Sequence, residues 1–316
     1  MVFSMFLEKE FEMCDSLKYV VPIIVTYNPD IKRLGYLIKS LVLFEDVKLI
    51  DNGSKNIESL KKLCLQYKNI ETLFLEMNCG LADAQNQAVN LIEAKKRNNV
   101  FVLLLDQDSV PEDKCIDVLY NYAIQLKAQG VRLGVIGPAL VDTYSDSKFG
   151  FIRDNRRFYL DEVTASFFEC DGINSSGSLI PLGVWQELRG NKKELFIDHV
   201  ETDWCFRARA AGYRCYGTFN AVLSHSMGES TLRYWLFGWK SMPDRAPERH
   251  YYLFRNSVFL QKQKYVPGRW KSKNILKLLL TLGYFGVFHR QRVKHISNMH
   301  TGFIDGITNR QGAKKG

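Results

Sequence analysis

Val100-Phe101-Val102-Leu103-Leu104-Leu105, closed by Asp106-Gln107-Asp108, is the stretch that decides the fold of this 316-residue chain. A short apolar run that ends in turn-forming acids has the length of a buried strand. In an open parallel sheet, ligands bind beyond the carboxyl ends of the strands. Two carboxylates placed there offer hard oxygen donors for Mg²⁺ or Mn²⁺, and such a cation can hold a diphosphate. Asp-x-Asp is also common in solvated loops, so its meaning depends on its surroundings.

Working outward, Val20 to Val25 forms a second apolar run, ending at Thr26-Tyr27-Asn28-Pro29. Pro22 near its start is tolerable in a strand. Leu34, Leu37, Ile38 and Leu41 then share one helical face. Val47 to Ile50 leads into Asp51-Asn52-Gly53-Ser54, a helix follows over about 57–67, and Ile70 to Leu75 is the third strand. Leu81 to Ala94 has helical spacing and precedes the opening strand. Alternating strands and helices predict a parallel sheet with right-handed crossovers. Beyond Asp108 the spacing predicts a helix over about 112–129, a strand over 131–141 and short strands near Phe158 and Glu169. A helix over 201–211 stops at Gly212, a good C-terminal cap. From Thr231 onward two or three aromatic-rich helices are expected.

Four strand tips therefore gather polar groups on one rim. Asp51 is placed to accept from a pyrimidine N–H, Asp106 to meet a ribose hydroxyl and Asp108 to bind a metal. The fingerprint G-x-G-x-x-G is absent after the first strand, and so is the P-loop pattern. A nicotinamide dehydrogenase and a P-loop enzyme are thereby disfavoured.

Composition is that of a globular protein, 46% hydrophobic and 24% charged. The net charge of +9 is unevenly placed: residues 241–316 carry 15 Lys+Arg against 3 Asp+Glu, leaving 28 against 31 in the first 240. The basic tail suits an anionic membrane surface. No nucleic-acid-binding motif accompanies it, so nucleic acid is not an expected partner. Seven scattered cysteines, with no C-x-x-C, fit reduced thiols in a cytosol. Met1 to Ser16 lacks a basic head and apolar core, so no secretory signal is expected. Asn274 to Phe288 is apolar, flanked by Lys and Arg, and at 15 residues too short to span a bilayer comfortably. Both an interfacial amphipathic helix and a core helix fit it.

The ordered set V-T-Y-N-P (25–29), D-N-G-S (51–54), N-C-G-L-A-D-A-Q-N (78–86), L-L-D-Q-D-S (104–109), S-S-G-S-L-I (175–180), F-I-D-H-V-E-T-D-W-C-F-R (196–207), L-S-H-S-M-G (223–228) and Y-Y-L-F-R-N (251–256) resembles inverting glycosyltransferases of family 2. With the ending G-F-I-D-G-I (302–307), it is most similar to bacterial rhamnosyltransferases that build O-antigen and related polysaccharides. The resemblance implies an α/β GT-A nucleotide-sugar-binding fold with a Rossmann-like, mostly parallel sheet. It implies a catalytic domain over 1–230, with a nucleotide-sugar half at about 20–110 and an acceptor half at 111–230. A helical, basic, membrane-associating region is expected over 231–316.

The resemblance also implies roles. Thr26, Asn28, Asp51 and Asn78 would line the nucleoside site, with Asp106 on the donor. Asp108 and His225 would hold Mg²⁺ or Mn²⁺. Ser176 and Gly177 would approach the acceptor, and Trp204 would either stack on a sugar face or belong to the core. Arg249, Arg255 and Asn256 would reach phosphate or simply pack. A departing nucleoside diphosphate needs its charge stabilised, and an attacking hydroxyl needs a general base. Glu201 matches the second acid of the family's Glu-Asp pair, while Val200 replaces the first, which leaves Glu201 and Asp198 both as candidate bases. The implied activity is metal-dependent transfer of L-rhamnose from dTDP-L-rhamnose to a lipid-linked saccharide acceptor, by a cytoplasmic enzyme peripheral on the inner membrane face; a homo-oligomer remains open. Rivals are a UDP-hexose or UDP-galactofuranose donor, or a non-catalytic sugar- or lipid-binding scaffold. A processive synthase is disfavoured because Arg269-Trp270 is preceded by Val266 where Q-x-x-R-W needs Gln.

Overall fold

The computed structural model describes residues 15–92, 100–142, 148–154, 156–162, 165–225, 231–235 and 239–314. The N-terminal stretch through Cys14, where no secretory signal was expected, lies outside the described residues. The first half alternates as expected: α1 (Asp15–Tyr19), β1 (Val20–Thr26), α2 (Ile31–Ser40), β2 (Val47–Asp51), α3 (Ile57–Cys64), β3 (Ile70–Phe74), α4 (Leu81–Asn90) and β4 (Phe101–Asp106). β1, β2, β3 and β4 pair in parallel, in the spatial order β4-β1-β2-β3. Strand order thus reverses between β1 and β4, the switch point at which open parallel sheets leave a crevice.

β4 shows why its run is apolar throughout. Phe101, Leu103 and Leu105 face one buried cluster with Leu34, Leu37, Ile38 and Leu41 of the α2 side. Val102 and Leu104 face the other, with Ala84, Ala88 and Trp185. Helices cover both faces, so neither set of alternate residues meets water. Pro22 lies before the β1–β2 ladder begins at Ile23, so its missing N–H removes nothing from that pairing. Asp30 starts α2, its carboxylate accepting from the Lys32 and Arg33 amides at 2.9 and 3.1 Å.

The second half adds β5 (Ser109–Pro111), α5 (Cys115–Ala128), β6 (Leu133–Asp142), β7 (Lys148–Phe149), β8 (Phe151–Arg153), β9 (Arg156–Phe158), β10 (Phe168–Cys170), β11 (Leu179–Pro181), α6 (Leu182–Glu187), α7 (Val200–Ala210) and β12 (Arg214–His225). β11 pairs antiparallel to β4 and carries the sheet on to β6, β12 and β10. The sheet is therefore mostly parallel in its first half and mixed beyond β4.

The tail departs from expectation at its start. Residues first read as helical form a hairpin of β13 (Thr231–Trp235) and β14 (Trp239–Pro243). Aromatic and β-branched residues are good strand formers, and alternation in so short a run is easily mistaken for helical spacing. Three helices follow: α8 (Pro247–Gln261), α9 (Gly268–Val287) and α10 (Arg292–Ile307). α8 is the buried one, with His250 through Ser257 all inside. α9 has an inverted surface: Asn274 and Thr281 are buried, while Leu276, Leu279 and Val287 are 58%, 60% and 61% exposed. Among the described residues no helix is long and apolar enough to cross a membrane.

Candidate active site

The rim at the carboxyl ends of β1, β2 and β4 is built from strand-end residues. Thr26, the last residue of β1, donates its hydroxyl to Asp51 Oδ1 at 2.9 Å. Asp51 also accepts from the Ser54 amide at 2.9 Å and from its hydroxyl. Both Thr26 and Asp51 are fully buried. Three of the roughly four lone-pair positions of the Asp51 carboxylate are thus occupied. Asn28, with φ of 48°, turns the chain so that its amide donates to Ser54 Oγ at 2.7 Å and its own Oδ1 accepts from the Lys55 amide at 2.8 Å. Asn52 and Asn78 join the next tip: Asn52 Nδ2 donates to Asn78 Oδ1 at 3.0 Å, and the Gly80 amide to the same oxygen at 2.9 Å. Gly80 has φ of 89°, and a Cβ there would lie 2.6 Å from the Phe196 ring. Only glycine lets this tip rest against the segment that leads to Asp198.

Asp106 and Asp108 are both half-buried at the β4 exit. Gln107 between them faces β1, accepting from the Tyr27 amide at 2.8 Å. Ser176 Oγ accepts from the Asp106 amide at 3.1 Å and donates to Ser109 Oγ at 2.8 Å. The Gly177 amide donates to the Leu104 carbonyl at 2.7 Å, and its φ of 84° and the nearby Pro138 ring exclude a side chain. Ser176 and Gly177 are both buried. They hold the Asp106 strand end rather than present themselves to an acceptor, which corrects the expectation for these two. His225 closes β12 directly opposite Ser109 in the ladder, one residue beyond Asp108; its side chain lies outside the described residues.

The segment before α7 is strained. Phe196, Asp198 and His199 all have φ between 62° and 64°, a left-handed region that side chains disfavour. Asn256 of α8 holds this turn, its Nδ2 donating to the carbonyls of Leu195, Ile197 and Asp198 at 2.8–2.9 Å. Asp198 is clamped by two arginines: Arg249 donates Nε and Nη2 at 2.9 and 2.8 Å, and Arg245 donates Nη1 at 3.0 Å. Burial alone would raise the Asp198 pKa, but the hydrogen bonds and charges of Arg249 and then Arg245 carry it below the ordinary carboxylate value. Burial lowers His199 to about 4, and its ring Nε2 lies 3.1 Å from Ser257 Oγ.

Glu201 begins α7 with the opposite bias. Desolvation raises its pKa, and the negative charges of Asp198 and Asp106 raise it further, against some lowering from its own backbone amide and Arg245. Glu201 therefore shares one electrostatic neighbourhood with the β4 exit and with Asp198. Behind it a small cavity is lined by Gln85, Ser175, Asn191 and Trp204. Gln85 ties it together, donating to Ser175 Oγ at 3.0 Å and accepting from Asn191 Nδ2 at 2.6 Å. A half-buried carboxyl with a raised pKa, beside a pair of acids suited to a cation, can take a proton from a hydroxyl while a phosphate leaves.

Two further expectations are corrected. Arg255 is 2% exposed, and its guanidinium donates to the carbonyls of Glu194, Leu195 and Gly312 and to Asn256 Oδ1. With its donors all taken by backbone carbonyls and Asn256 it holds the tail on the domain and has no face for phosphate. Trp204 is 2% exposed and stacks on Trp185, with ring centroids 6.3 Å apart, so it is core and not a platform for an acceptor. The sequence reading missed Gln107 and Arg245. Gln107 had a visible signal, an amide enclosed by two acids. Arg245 is a surface-type cation whose position only the folded chain reveals.

Among the described residues no three His, Cys, Asp or Glu side chains gather as a ready metal cage. The donor set at the β4 exit still fits a hard cation shared with a ligand's oxygens: two carboxylates one residue apart, with the His225 backbone laid beside them.

This sheet, with its switch point between β1 and β4 and acids on the rim, has the α/β architecture in which ligands bind beyond the strand ends. Residues 23–169 match the model of Glycosyl transferase family 2. Over 292 residues it is 23% identical to the dTDP-rhamnosyl transferase RfbF of Shigella flexneri, covering 91% of this chain and 95% of that protein. The fold is similar to a crystal structure of GalNAc-T7 with UDP, GalNAc and Mn²⁺, with a TM-score of 0.56 and 11% identity over 92% of this chain and 57% of that one. The fold is thus like that of GT-A glycosyltransferases, and the family match over 23–169 supports a transferase.

Proposed function

We propose that this chain is a metal-dependent, inverting rhamnosyltransferase that moves L-rhamnose from dTDP-L-rhamnose onto a lipid-linked or growing polysaccharide acceptor in cell-surface polysaccharide (O-antigen) synthesis. The near full-length similarity to a dTDP-rhamnosyl transferase supports the donor. The observation that carries the mechanism is Glu201, a carboxyl whose pKa is raised by desolvation first and then by the charges of Asp198 and Asp106. Asn28, Asn78 and the last lone pair of Asp51 receive the nucleoside, with Thr26 holding Asp51 in place. Asp106 takes the ribose and diphosphate side, and Asp108 with His225 would hold Mg²⁺ or Mn²⁺. Bound there, the cation would neutralise charge on the diphosphate.

Glu201 accepts the acceptor hydroxyl's proton as that oxygen attacks the anomeric carbon. The bond from that carbon to the diphosphate oxygen breaks, and dTDP leaves with the bonding pair. One displacement inverts the anomeric centre. Asp198 suits the base role poorly, because two arginines already bind its carboxylate.

The exposed apolar face of α9, with Leu276, Leu279 and Val287 outward, supports a peripheral seat on an anionic membrane surface at the cytoplasmic face. There a lipid-held acceptor would meet the site. A panel of nucleotide sugars tests the reading. dTDP-L-rhamnose is expected to be turned over fastest, and Asp108→Ala is expected to lose metal-dependent dTDP binding while staying folded. Turnover of a UDP-sugar alone would move the donor assignment. No turnover of any donor would favour a scaffold.

A further inference from the structure

The turn that leads into Glu201 is held from outside itself. Phe196, Asp198 and His199 take left-handed backbone, with φ of 63°, 64° and 62°. None of them is glycine, so this conformation lasts only while its surroundings impose it. His199 immediately precedes α7, and its carbonyl accepts from the Asp203 amide at 2.9 Å, the first bond of that helix. The backbone of His199 therefore sets the direction in which α7 departs, and with it the place of Glu201, the second residue of α7.

One helix, α8, grips this turn along its length. The Phe196 ring stacks on Tyr252, with centroids 4.8 Å apart. Asn256 Nδ2 donates to the carbonyls of Leu195, Ile197 and Asp198, so its two hydrogens are shared among three oxygens. Asn256 Oδ1 accepts from Arg255 Nε at 3.0 Å, which fixes the amide with its nitrogen toward the turn. Ser257 Oγ lies 3.1 Å from His199 Nε2 and accepts from Asn274 Nδ2 at 3.2 Å. Asn256 and Ser257 are both buried, where a lost hydrogen bond is not readily replaced by water. We propose that Asn256 is a positioning residue for Glu201: by binding three successive carbonyl-bearing positions of the turn, it keeps the start of α7 where the Glu201 carboxyl can reach the acceptor hydroxyl. This rests on the reading of Glu201 as the base. Asn256 itself touches no reacting atom and acts through the backbone of 195–199.

Release of dTDP from dTDP-L-rhamnose with Mn²⁺, water serving as the acceptor, tests this on the full chain, beside dTDP binding by calorimetry. Asn256→Ala is expected to lower kcat about 10–100-fold, the scale of a displaced catalytic group, with KM for dTDP-L-rhamnose and dTDP affinity unchanged. Asn256→Asp keeps the shape but sets an oxygen against the three carbonyls, and is expected to lose at least as much. Met299→Ala loosens the core that α8 shares with α10 through Phe254 and Phe285, and is the control for lost stability alone; its kcat is expected to match wild type. An equal fall in kcat for Met299→Ala would reduce Asn256 to a structural residue and overturn the proposal. So would a loss of dTDP affinity as large as the loss of kcat. Full turnover in Asn256→Ala, with Glu201→Gln slow, would sink the positioning role and leave the base in place. Full turnover in Glu201→Gln would sink the base, and the positioning role with it.

Discussion

The β1–β4 rim and the α7–α9 side of the site are built by different means. On the rim, side chains at strand ends are tied to each other and to nearby backbone by short bonds, such as Thr26 to Asp51 and Gln107 to Tyr27. The parallel ladder places them, and each sits beside its own strand. On the α7–α9 side, ion pairs from distant segments set the geometry: Asp198 meets arginines 47 and 51 residues further along the chain. The first arrangement fixes shape. The second fixes charge: its arginines hold Asp198 down, while desolvation first, then the charges of Asp198 and Asp106, push Glu201 up, three residues away. Acids separated in this way can take different roles at one pH.

The sharpest way to break this contrast is Glu201→Gln. Its turnover is expected to fall about 10²–10⁴-fold in a single-turnover transfer assay, the scale of a lost general base. dTDP affinity, which belongs to the rim, is expected to stay put. Stability should not fall. A carboxyl whose pKa is raised on folding binds its proton more tightly in the folded state, so deprotonation at neutral pH costs stability that the amide avoids.

Asp198→Ala removes the acid from between its two arginines. Losing these charge-assisted bonds, with both arginines partly exposed and able to take up water, is expected to cost about 1.5–3 kcal/mol by urea unfolding. The wild-type contribution runs the other way from Glu201. The folded pKa of Asp198 is depressed, so its stabilisation is present above the ordinary carboxylate pKa and is lost as pH falls through the lower folded value. A smaller effect is expected for Arg255→Met, about 1 kcal/mol of stability, because the Gly312 carbonyl loses this donor while those of Glu194 and Leu195 keep others. Its dTDP affinity should match wild type; a large loss there would return Arg255 to the phosphate.

The same contrast explains what could be read from the chain alone. The rim was legible because each of its residues follows its own apolar run: Asp51 after β2, Asp106 and Asp108 after β4. The helix facing of Leu34, Leu37, Ile38 and Leu41 was legible for the same local reason, and all four are buried. The clamp on Asp198 was not, because no local pattern pairs it with Arg245 and Arg249. Arg255 shows the same gap from the other direction. In sequence it is a cation near aromatic residues; in the fold its partners are carbonyls up to 61 residues away. Trp204 was left open between sugar platform and core, and burial against Trp185 places it in the core.

The pH dependence of kcat, measured side by side for wild type and Glu201→Gln, tests the central claim most directly. The account predicts that wild-type turnover falls on the acid side with a pKa above that of an ordinary glutamate, and that this limb disappears from the residual rate of the variant. An acid limb of unchanged position in Glu201→Gln would contradict it and move the base elsewhere.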